Sequence, residues 1–338
     1  MSEQQKEEKK IEIINNKKKL KFDLLKITSI IEKEGQYKER DSIFEFYKEY
    51  NKEQDSQNDD IDVPQFFVHI KSENCVYMGV LSQNLKKEVY GYNLFENGDE
   101  YFGKWNKDKK DAYGIYYFKE KEDSQERQIY IGEFSNNIKQ GEGVYLKIKN
   151  FEKENQGRPD EFIFAFGKFT QDNFKEGIIY AFEDGKEKIY KGKLNEEGKK
   201  EDDKAIIYEN GNQLFCGKIK NNIMMEGRII IFKEGSDEKE EAYYFQRKEE
   251  KSPDDEVDFD YRKKEESDEE LIKQMKEILN IFDREKLKEL YMKVMEYKEK
   301  IKGPDNFEYM KNIDFDNNVK GELRNMYGKF IYLNIANE

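Results

Sequence analysis

The side chains that most often carry catalysis or bind metal ions are scarce and scattered in this chain of 338 residues. His69 is the only histidine, so a Ser-His-Asp or Cys-His site would have to include it, yet it lies in a strand-like run. Cys75 and Cys216 lack the spacing of a zinc site, which needs about four close ligands. We therefore expect an edge or surface histidine and two cysteines that serve as small apolar residues in strands.

Carboxylates are abundant, but no pattern selects a reactive set among them. Asp59-Asp60 and Asp254-Asp255-Glu256 could bind calcium, yet no Asp-x-Asp-x-Asp-Gly loop with its trailing Glu is present, which favours solvated linkers. A pair of catalytic carboxylates, as in a glycosidase, remains an alternative in a chain with 74 acidic residues, although nothing selects any two of them. The common glycine-rich nucleotide loops do not occur. These observations predict a protein that is not an enzyme and has neither cofactor nor metal.

Composition limits the partners and the compartment. The net charge of -13 repels phosphate backbones and anionic membrane surfaces, so nucleic acid is an unfavourable partner and a membrane is disfavoured. The chain has two cysteines, no glycosylation sequon, no run of about 18 apolar residues and a polar N-terminus. We expect a cytoplasmic protein in a reducing compartment.

An internal repeat runs through the middle of the chain. An aromatic residue, any residue and then Gly recur about every 24 residues, with insertions, and one of the six copies has Ala165 in place of the aromatic residue. A second glycine follows 10 to 12 residues later in five units, and Lys204 or Ala205 replaces it in the sixth. Four units close with a turn such as Phe95-Glu-Asn-Gly98. The first anchors are Gly79, Gly103, Gly132, Gly167, Gly192 and Gly217, and the second are Gly91, Gly114, Gly143, Gly177 and Gly227.

Each unit predicts a hairpin: a short strand, a polar turn, a second strand rich in Tyr, Phe and Ile, and an Asn-Gly or Asp-Gly turn. A single hairpin of this size is marginal in water, so neighbouring hairpins must stack to bury their rings. The glycines let an aromatic ring from a neighbouring strand lie flat on the backbone. We therefore predict a mainly β fold, a single twisted antiparallel sheet of stacked hairpins with flanking N-terminal and C-terminal α-helices.

This pattern of a first glycine, a second glycine and a closing turn resembles the MORN (membrane occupation and recognition nexus) repeat, from residue 76 to about residue 235. The best copies run from Tyr101-Phe-Gly-Lys-Trp105 to Phe118 and from Tyr130-Ile-Gly-Glu-Phe134 to Tyr145. The resemblance implies a structural scaffold that binds protein subunits of a large assembly. Similar proteins occur in ciliary axonemes, notably radial spokes, and at membrane junctions. The expected setting is the cytoskeleton of a cilium or flagellum, which suits the composition of an AT-rich protist with only two threonines.

Composition shifts divide the chain into four predicted segments. Residues 1–62 form a helical arm and acidic linker, in which Leu20, Leu24, Ile27 and Ile31 recur at helical spacing. Residues 63–247 form the repeat domain, which opens with a capping strand at Phe66 to Ile70. Residues 248–268 form a charged linker, and residues 269–338 form a helical segment that ends in a strand at Phe330 to Ile335.

The C-terminal segment predicts two helices with exposed apolar stripes. Ser267-Asp-Glu-Glu270 is a capping box, and the stripe that follows shifts by one residue at Asp283, which indicates a kink or two helices. Because the segment is too short to bury both stripes on itself, they must dock on the repeat sheet or on a partner. We expect a partner subunit, with Leu290 and Val294 as contacts.

The sheet itself is expected to offer a grooved face to an apolar helix or extended segment. The candidate contacts are Tyr92, Tyr116, Tyr145, Ile179 and Tyr208, although each could instead serve only to pack one repeat on the next. The alternative function is a peripheral membrane adaptor that binds phosphoinositides or membrane-junction partners through the repeats. Its best site is the local lysine patch of Lys104, Lys107, Lys109 and Lys110.

Overall fold

Alternating apolar residues and regularly placed turn residues make most of this chain extended. The structure, a computed structural model, describes residues 66–71, 76–82, 86–120, 126–149, 161–183, 185–209, 211–233, 239–247, 258–260, 268–281 and 284–302, with a few positions from 309 to 321. The predicted helices of the N-terminal arm and the predicted strand at Phe330 to Ile335 lie outside these ranges, as does Cys75.

The described residues contain fifteen strands and two long helices. The strands are β1 Phe66–Lys71, β2 Val76–Leu81, β3 Lys87–Leu94, β4 Glu100–Asn106, β5 Lys109–Tyr117, β6 Glu126–Ser135, β7 Ile138–Lys149, β8 Glu161–Thr170, β9 Asn173–Glu183, β10 Lys186–Lys193, β11 Asp202–Glu209, β12 Gln213–Lys220, β13 Ile223–Phe232, β14 Lys239–Gln246 and β15 Asp258–Asp260. The helices are α1 Asp268–Ile281 and α2 Arg284–Lys302.

Spatial order equals sequence order in this sheet, from β1 to β15, and the paired strands are antiparallel. The predicted sheet of stacked hairpins with C-terminal helices is therefore confirmed. The capping strand is also confirmed, because β1 pairs with β2 and places His69 opposite Met78. The segment predicted as a charged linker contains β15, and α1 begins at Asp268, directly after the predicted capping residue.

Contacts along the chain group the residues into two compact units. The first comprises residues 1–111 and 299–313, and the second comprises residues 112–298 and 314–338. The division crosses β5 after Asp111 and α2 after Lys298.

The anchor glycines lie opposite one another on successive strands, and we call this line the glycine row. In the first unit Gly91 pairs with both Gly79 and Gly103. In the second unit the pairs are Gly114–Gly132, Gly132–Gly143, Gly143–Gly167, Gly167–Gly177, Gly177–Gly192, Ala205–Gly217 and Gly217–Gly227. The predicted register is confirmed within each unit, and Ala205 rather than Lys204 replaces the missing glycine.

Two kinds of turn join the strands. Gly98, Gly185 and Gly211 have φ of 86°, 75° and 74°, as the predicted Asn-Gly and Asp-Gly turns require. Four other turns have two consecutive left-handed residues without glycine, at 107–108, 136–137, 171–172 and 221–222. This is the type I′ geometry, whose twist matches that of the strands. The sequence indicated only that these turns are polar.

Side chains alternate between two faces of the sheet. The face that carries the glycine row is the glycine face, and we call the other the helix face. In the second unit α2 packs on the helix face, where the Tyr117 hydroxyl donates to the Val294 carbonyl at 2.9 Å and Arg127 donates to the Tyr291 hydroxyl. Leu287 of α2 lines a small apolar cavity together with Leu146 and Phe164 of the sheet.

The expectation that the C-terminal helices dock on a partner subunit is therefore wrong for the second unit. Leu290 and Val294 are 2% and 0% exposed within the chain itself. Burial of a large apolar side chain stabilises by about 1.5–3 kcal/mol, so a stripe of such residues favours docking within the chain over exposure to water. The predicted break between two helices is confirmed, because α1 ends at Ile281 and α2 starts at Arg284.

An ionic contact fixes the start of α1 on the same face. The Asp268 carboxylate accepts from Arg228 Nε at 3.0 Å and Arg228 Nη2 at 3.2 Å, and Lys239 Nζ lies 2.9 Å away. Hydrogen bonding from Arg228, followed by Lys239, holds the pKa of Asp268 below its ordinary value, although burial opposes this shift. An acidic first turn also suits the positive end of the helix dipole.

The first unit has a buried charge on its helix face. Glu100 is 5% exposed, accepts from the Tyr92 hydroxyl at 2.9 Å and pairs with Lys302 Nζ at 2.7 Å. Burial and the nearby carboxylate raise the pKa of Tyr92. A buried carboxylate requires such partners, because an unpaired charge away from water is costly.

Candidate partner-binding surface

On the glycine face of the second unit, one line of side chains crosses ten strands without a break. Its members lie two residues from the glycine row, and each pairs directly with the next. We call this line the aromatic ladder, since six of its ten members carry rings. In order it is Tyr116, Tyr130, Tyr145, Ala165, Ile179, Tyr190, Ile207, Phe215, Ile229 and Tyr243.

The ring of Tyr130 lies across two glycines of adjacent strands. A Cβ on Gly143 would come within 2.4 Å of the Tyr130 hydroxyl oxygen, and one on Gly132 would come within 2.6 Å of the same atom. The hydroxyl donates to the Glu133 carbonyl at 3.0 Å. The ring is fully buried although it lies on the glycine face. The spacing Tyr-x-Gly-x therefore closes a local loop in which the ring covers glycine and its hydroxyl binds the next backbone carbonyl.

The same local loop recurs wherever the first aromatic residue is tyrosine. The Tyr77 hydroxyl donates to the Val80 carbonyl at 2.8 Å, and the Tyr190 hydroxyl donates to the Lys193 carbonyl. Tyr101 makes the equivalent bond to Lys104, also at 2.8 Å. Burial raises the pKa of Tyr77 and of Tyr190, so these phenols stay neutral donors.

A lysine nine or ten residues after the tyrosine places its ammonium group on the ring. In the second unit Lys139 Nζ lies 5.5 Å from the Tyr130 centroid, and Lys200 Nζ lies 5.1 Å from the Tyr190 centroid. In the first unit Lys87 Nζ is 4.8 Å from Tyr77. Such cation–π contacts stabilise by about 0.5–1 kcal/mol where they are exposed and more where they are desolvated.

The backbone of the same lysine is held by the turn of the next hairpin. The Lys139 N–H donates to Asp172 Oδ1 at 2.9 Å, and the Asp172 N–H donates back to the Lys139 carbonyl at 3.2 Å. Lys200 and Asn222 exchange the same two bonds at 2.7 and 3.0 Å. Reciprocal bonds of this kind fix one hairpin against the next and so keep the ladder in line.

Members of the ladder differ in their exposure to solvent. Six of them are buried, whereas Tyr116, Tyr145, Ile179 and Tyr243 are only partly buried. Phe118 joins this partly exposed group, with its centroid 4.9 Å from Tyr116 and 6.4 Å from Tyr145 in edge-on arrangements. Aromatic and β-branched side chains at this level of exposure are typical of contact surfaces for partners.

Paired charges border one side of the ladder. Lys147 Nζ lies 2.9 Å from Glu126, Lys149 Nζ lies 2.9 Å from Glu161, and Lys188 contacts Glu183 at 3.7 Å. Burial raises the pKa of Tyr145, and the nearby Glu126 carboxylate adds to that rise. The apolar strip is thus bordered by ion pairs that largely neutralise each other.

The structure brings together three of the seven residues predicted to contact partners. Tyr116, Tyr145 and Ile179 lie in the aromatic ladder on alternate strands, β5, β7 and β9. Adjacent strands are about 4.8 Å apart, so the three span about 19 Å. Their role in binding stays a prediction.

The other four do not belong to this surface. Tyr92 lies one residue after Gly91 and Tyr208 three after Ala205, so both point to the helix face, where they are 5% and 8% exposed. Leu290 and Val294 are buried in the contact of α2 with that face. The odd number of residues between each of Tyr92 and Tyr208 and its row residue could have placed both tyrosines on the helix face from the sequence alone.

The lysine patch predicted as a lipid site is divided and mixed with acids. Lys110 lies over the rings of Phe95 and Tyr101, on the glycine face, whereas Lys104 follows Gly103 and faces the other way. Lys107 is in a turn beside Asp108, and its N–H donates to Glu88 at 3.3 Å. These lysines do not form one basic surface.

Two further observations concern chemistry and membranes. Within the ranges that the structure describes, no group of three or more His, Cys, Asp and Glu side chains is arranged to hold a metal ion. Neither described helix is long and apolar enough to cross a bilayer.

Sequence reasoning missed the stacked lysines and the left-handed turns without glycine. A signal for the lysines was present, because Lys87, Lys139 and Lys200 follow Tyr77, Tyr130 and Tyr190 at nearly constant spacing. The turns gave less warning, since Gln171 and Lys107 are not residues that favour positive φ.

Two segments of the chain match a known family model. The family model for the MORN repeat matches residues 101–120 and 130–147. The matched ranges correspond to the β4–β5 and β6–β7 hairpins, which carry the two best copies of the sequence pattern. No curated protein sequence matches the chain significantly.

Proposed function

We propose that this chain, which contains MORN repeats, is a non-catalytic scaffold whose aromatic ladder binds segments of partner proteins within a large assembly. The repeats point to protein interaction or membrane association. We assign interaction with other proteins, rather than with a membrane, to the glycine face of the second unit.

The observation that carries the proposal is the different state of the two faces in the second unit. The helix face is filled by the chain's own α2, which buries Leu290, Tyr291 and Val294. On the glycine face Tyr116, Tyr145 and Ile179 remain partly exposed along a continuous apolar line. Aromatic residues gain the most from desolvation by a partner, and they dominate the energetics of interfaces.

The architecture supports a binding role rather than catalysis. Residues that define the repeat, such as Gly143 and Tyr130, are used to stack hairpins and to close local backbone loops. Repeat sheets of this kind present extended surfaces on which several partner contacts can be distributed. The net charge of -13 disfavours nucleic acid as a partner.

We propose the ciliary axoneme, in a radial spoke or a similar complex, as the setting. Two features support it: the resemblance to MORN proteins of axonemes, and a composition rich in Lys, Asn, Ile and Glu with only two threonines, as in AT-rich ciliated protists. This setting is a proposal about location and is tested separately from the surface.

The test is crosslinking mass spectrometry on native cilia from cells that express the tagged full-length chain. The variant replaces Tyr116, Tyr145 and Ile179 with Ala, and Met292→Ala is the matched control because Met292 is 56% exposed on α2. We expect the triple variant to lose crosslinks between Lys147 and other subunits while its circular dichroism is unchanged. Retention of those crosslinks would contradict the surface, and absence of the chain from cilia would contradict only the setting.

Phosphoinositide binding, the alternative from the sequence, has less support. Lys104 and Lys110 lie on opposite faces of the sheet, and Glu88 accepts from the Lys107 N–H at 3.3 Å. Attraction to anionic lipid needs clustered basic residues, each worth about 1 kcal/mol near the surface. We expect no salt-sensitive binding of the full chain to phosphoinositide vesicles, which a flotation assay would check.

A further inference from the structure

Lys139 places a partly buried positive charge beside the aromatic ladder. Its ammonium lies 5.5 Å from the ring centroid of Tyr130 and 5.5 Å from that of Phe118. Its side chain is partly buried, and its backbone is fixed by the bonds to Asp172. The backbone of Lys139 is thus fixed, and its ammonium lies beside two rings.

No carboxylate among the described residues lies within 4 Å of this ammonium, which distinguishes Lys139 from its neighbours on the same face. Lys147 is paired with Glu126 at 2.9 Å, and Lys200 lies 3.9 Å from Glu209. Burial lowers the pKa of Lys139, and the more distant Asp172 offsets this only in part. A cation that has lost water without gaining a carboxylate is one that an acidic ligand can stabilise.

Apolar contact area lies directly beside this charge. Phe118, which contacts the Lys139 ammonium, is 4.9 Å from Tyr116 and 6.4 Å from Tyr145 between ring centroids. All three rings are partly exposed. Well-packed rings next to a partly desolvated charge form the arrangement found at the energetic centres of interfaces.

We propose that Lys139, Tyr116, Phe118 and Tyr145 form an anchor site for an acidic peptide segment of a partner. One Asp or Glu of the partner pairs with the Lys139 ammonium, and a neighbouring aromatic or aliphatic side chain packs on the three rings. This inference rests on the proposed function and adds the chemistry of the partner.

Charge complementarity selects this occupant over the other candidates. A basic segment would be repelled by Lys139, and a wholly apolar segment would leave the ammonium even less hydrated than it is now. The neighbouring charges at Glu126 and Lys147 already pair with each other, so they favour neither sign of partner.

The test uses a random 12-residue peptide library displayed on phage and selected against the full-length chain. We expect the selected peptides to be enriched in Asp or Glu next to Trp, Phe or Leu. Synthetic copies should bind Lys139→Met at least about tenfold more weakly and Lys139→Glu more weakly still. Lys139→Met keeps most of the aliphatic stem, so it remains informative if the Glu variant is unstable in a melting experiment.

Lys200→Met is the matched control, because Lys200 also stacks on a tyrosine and exchanges backbone bonds with the next turn. Since Glu209 already accompanies that lysine, its replacement should change peptide affinity by less than about twofold. Equal losses at Lys139 and Lys200 would overturn the proposal, because they would indicate a general effect of charge or stability.

Other outcomes separate this inference from the proposed function. Peptides that are insensitive to Lys139→Met but lose binding to Tyr145→Ala would overturn the acidic anchor and leave the scaffold surface standing. Peptides that are insensitive to both variants, or a selection that yields no binders, would overturn both. Binding to anionic lipid vesicles that is abolished by Lys139→Glu would instead show that the site recognises a membrane, which also overturns the proposal.

Discussion

Replacing Gly143 with Ala should destabilise the sheet because the new methyl group would enter the space of the Tyr130 ring. The Cβ would lie 2.4 Å from the hydroxyl oxygen and 2.7 Å from two ring carbons. The ring is fully buried and has edge-on contacts with Phe134 at 5.2 Å and Phe169 at 5.0 Å, which block its retreat. The ring must therefore shift, and its bond to the Glu133 carbonyl is the first contact at risk.

The expected cost of Gly143→Ala follows from these contacts. Overpacking of a filled site costs about 1–3 kcal/mol, and loss of the hydroxyl bond costs about 1 kcal/mol. Because Gly143 does not need positive φ, Ala should recover about 0.4–1 kcal/mol through the unfolded state. We expect a net loss of about 2–3 kcal/mol in the free energy of unfolding, measured by urea titration with far-ultraviolet circular dichroism.

A double-mutant cycle tests whether the Tyr130 ring causes the loss of stability in Gly143→Ala, independently of how large that loss is. In a Tyr130→Ala background the obstructing ring is absent, so Gly143→Ala should be neutral or slightly stabilising. Gly217→Ala is the control, since its Cβ would meet the Glu226 carbonyl oxygen at 2.2 Å, a backbone clash that Tyr130→Ala cannot relieve. If Gly143→Ala costs the same in both backgrounds, the ring is not what makes this glycine necessary.

Three further outcomes are expected. Leu290→Asp should lower the free energy of unfolding of the repeat sheet by about 4 kcal/mol or more, because it places an unpaired carboxylate in the contact of α2 with the sheet. Met292 is exposed, so Met292→Asp should have little effect on the melting temperature. Asp268→Asn should cost about 1 kcal/mol at neutral pH. The pKa of Asp268 is lowered in the folded state, so its stabilising contribution is present above the unfolded pKa and is lost as the pH falls through the folded pKa. The difference in stability between Asp268→Asn and the wild type should therefore shrink below about pH 4. Urea titrations at several pH values would measure this. Gln171→Gly should raise stability by roughly 0.5 kcal/mol, because Gln171 has φ of 50° in its turn, and a lower melting temperature would contradict that reasoning.

Much of the fold could be predicted because its signals are local and repeated. Each hairpin carries its own glycines and turn residues, so the period determined the strands and their register without any long-range information. The offset at Asp283 likewise located the break between α1 and α2. The candidate surface was predicted only in part. Tyr92 and Tyr116 are both tyrosines in the second strand of a repeat, but they lie one and two residues after their glycines and therefore on opposite faces of their strands.

The sequence by itself determined the repeat, the glycine row and the existence of two amphipathic helices, since these depend on spacing along the chain. Only the tertiary structure decided which face of the sheet the helices cover, because that depends on surfaces more than 150 residues apart, as in the bond from Tyr117 to Val294. It also decided the environment of Lys139, whose rings and backbone partner come from three different hairpins. Tyr130 lies in the same repeat as Lys139, whereas the contacts with Phe118 and Asp172 arise from the stacking of hairpins, and no single repeat contains them.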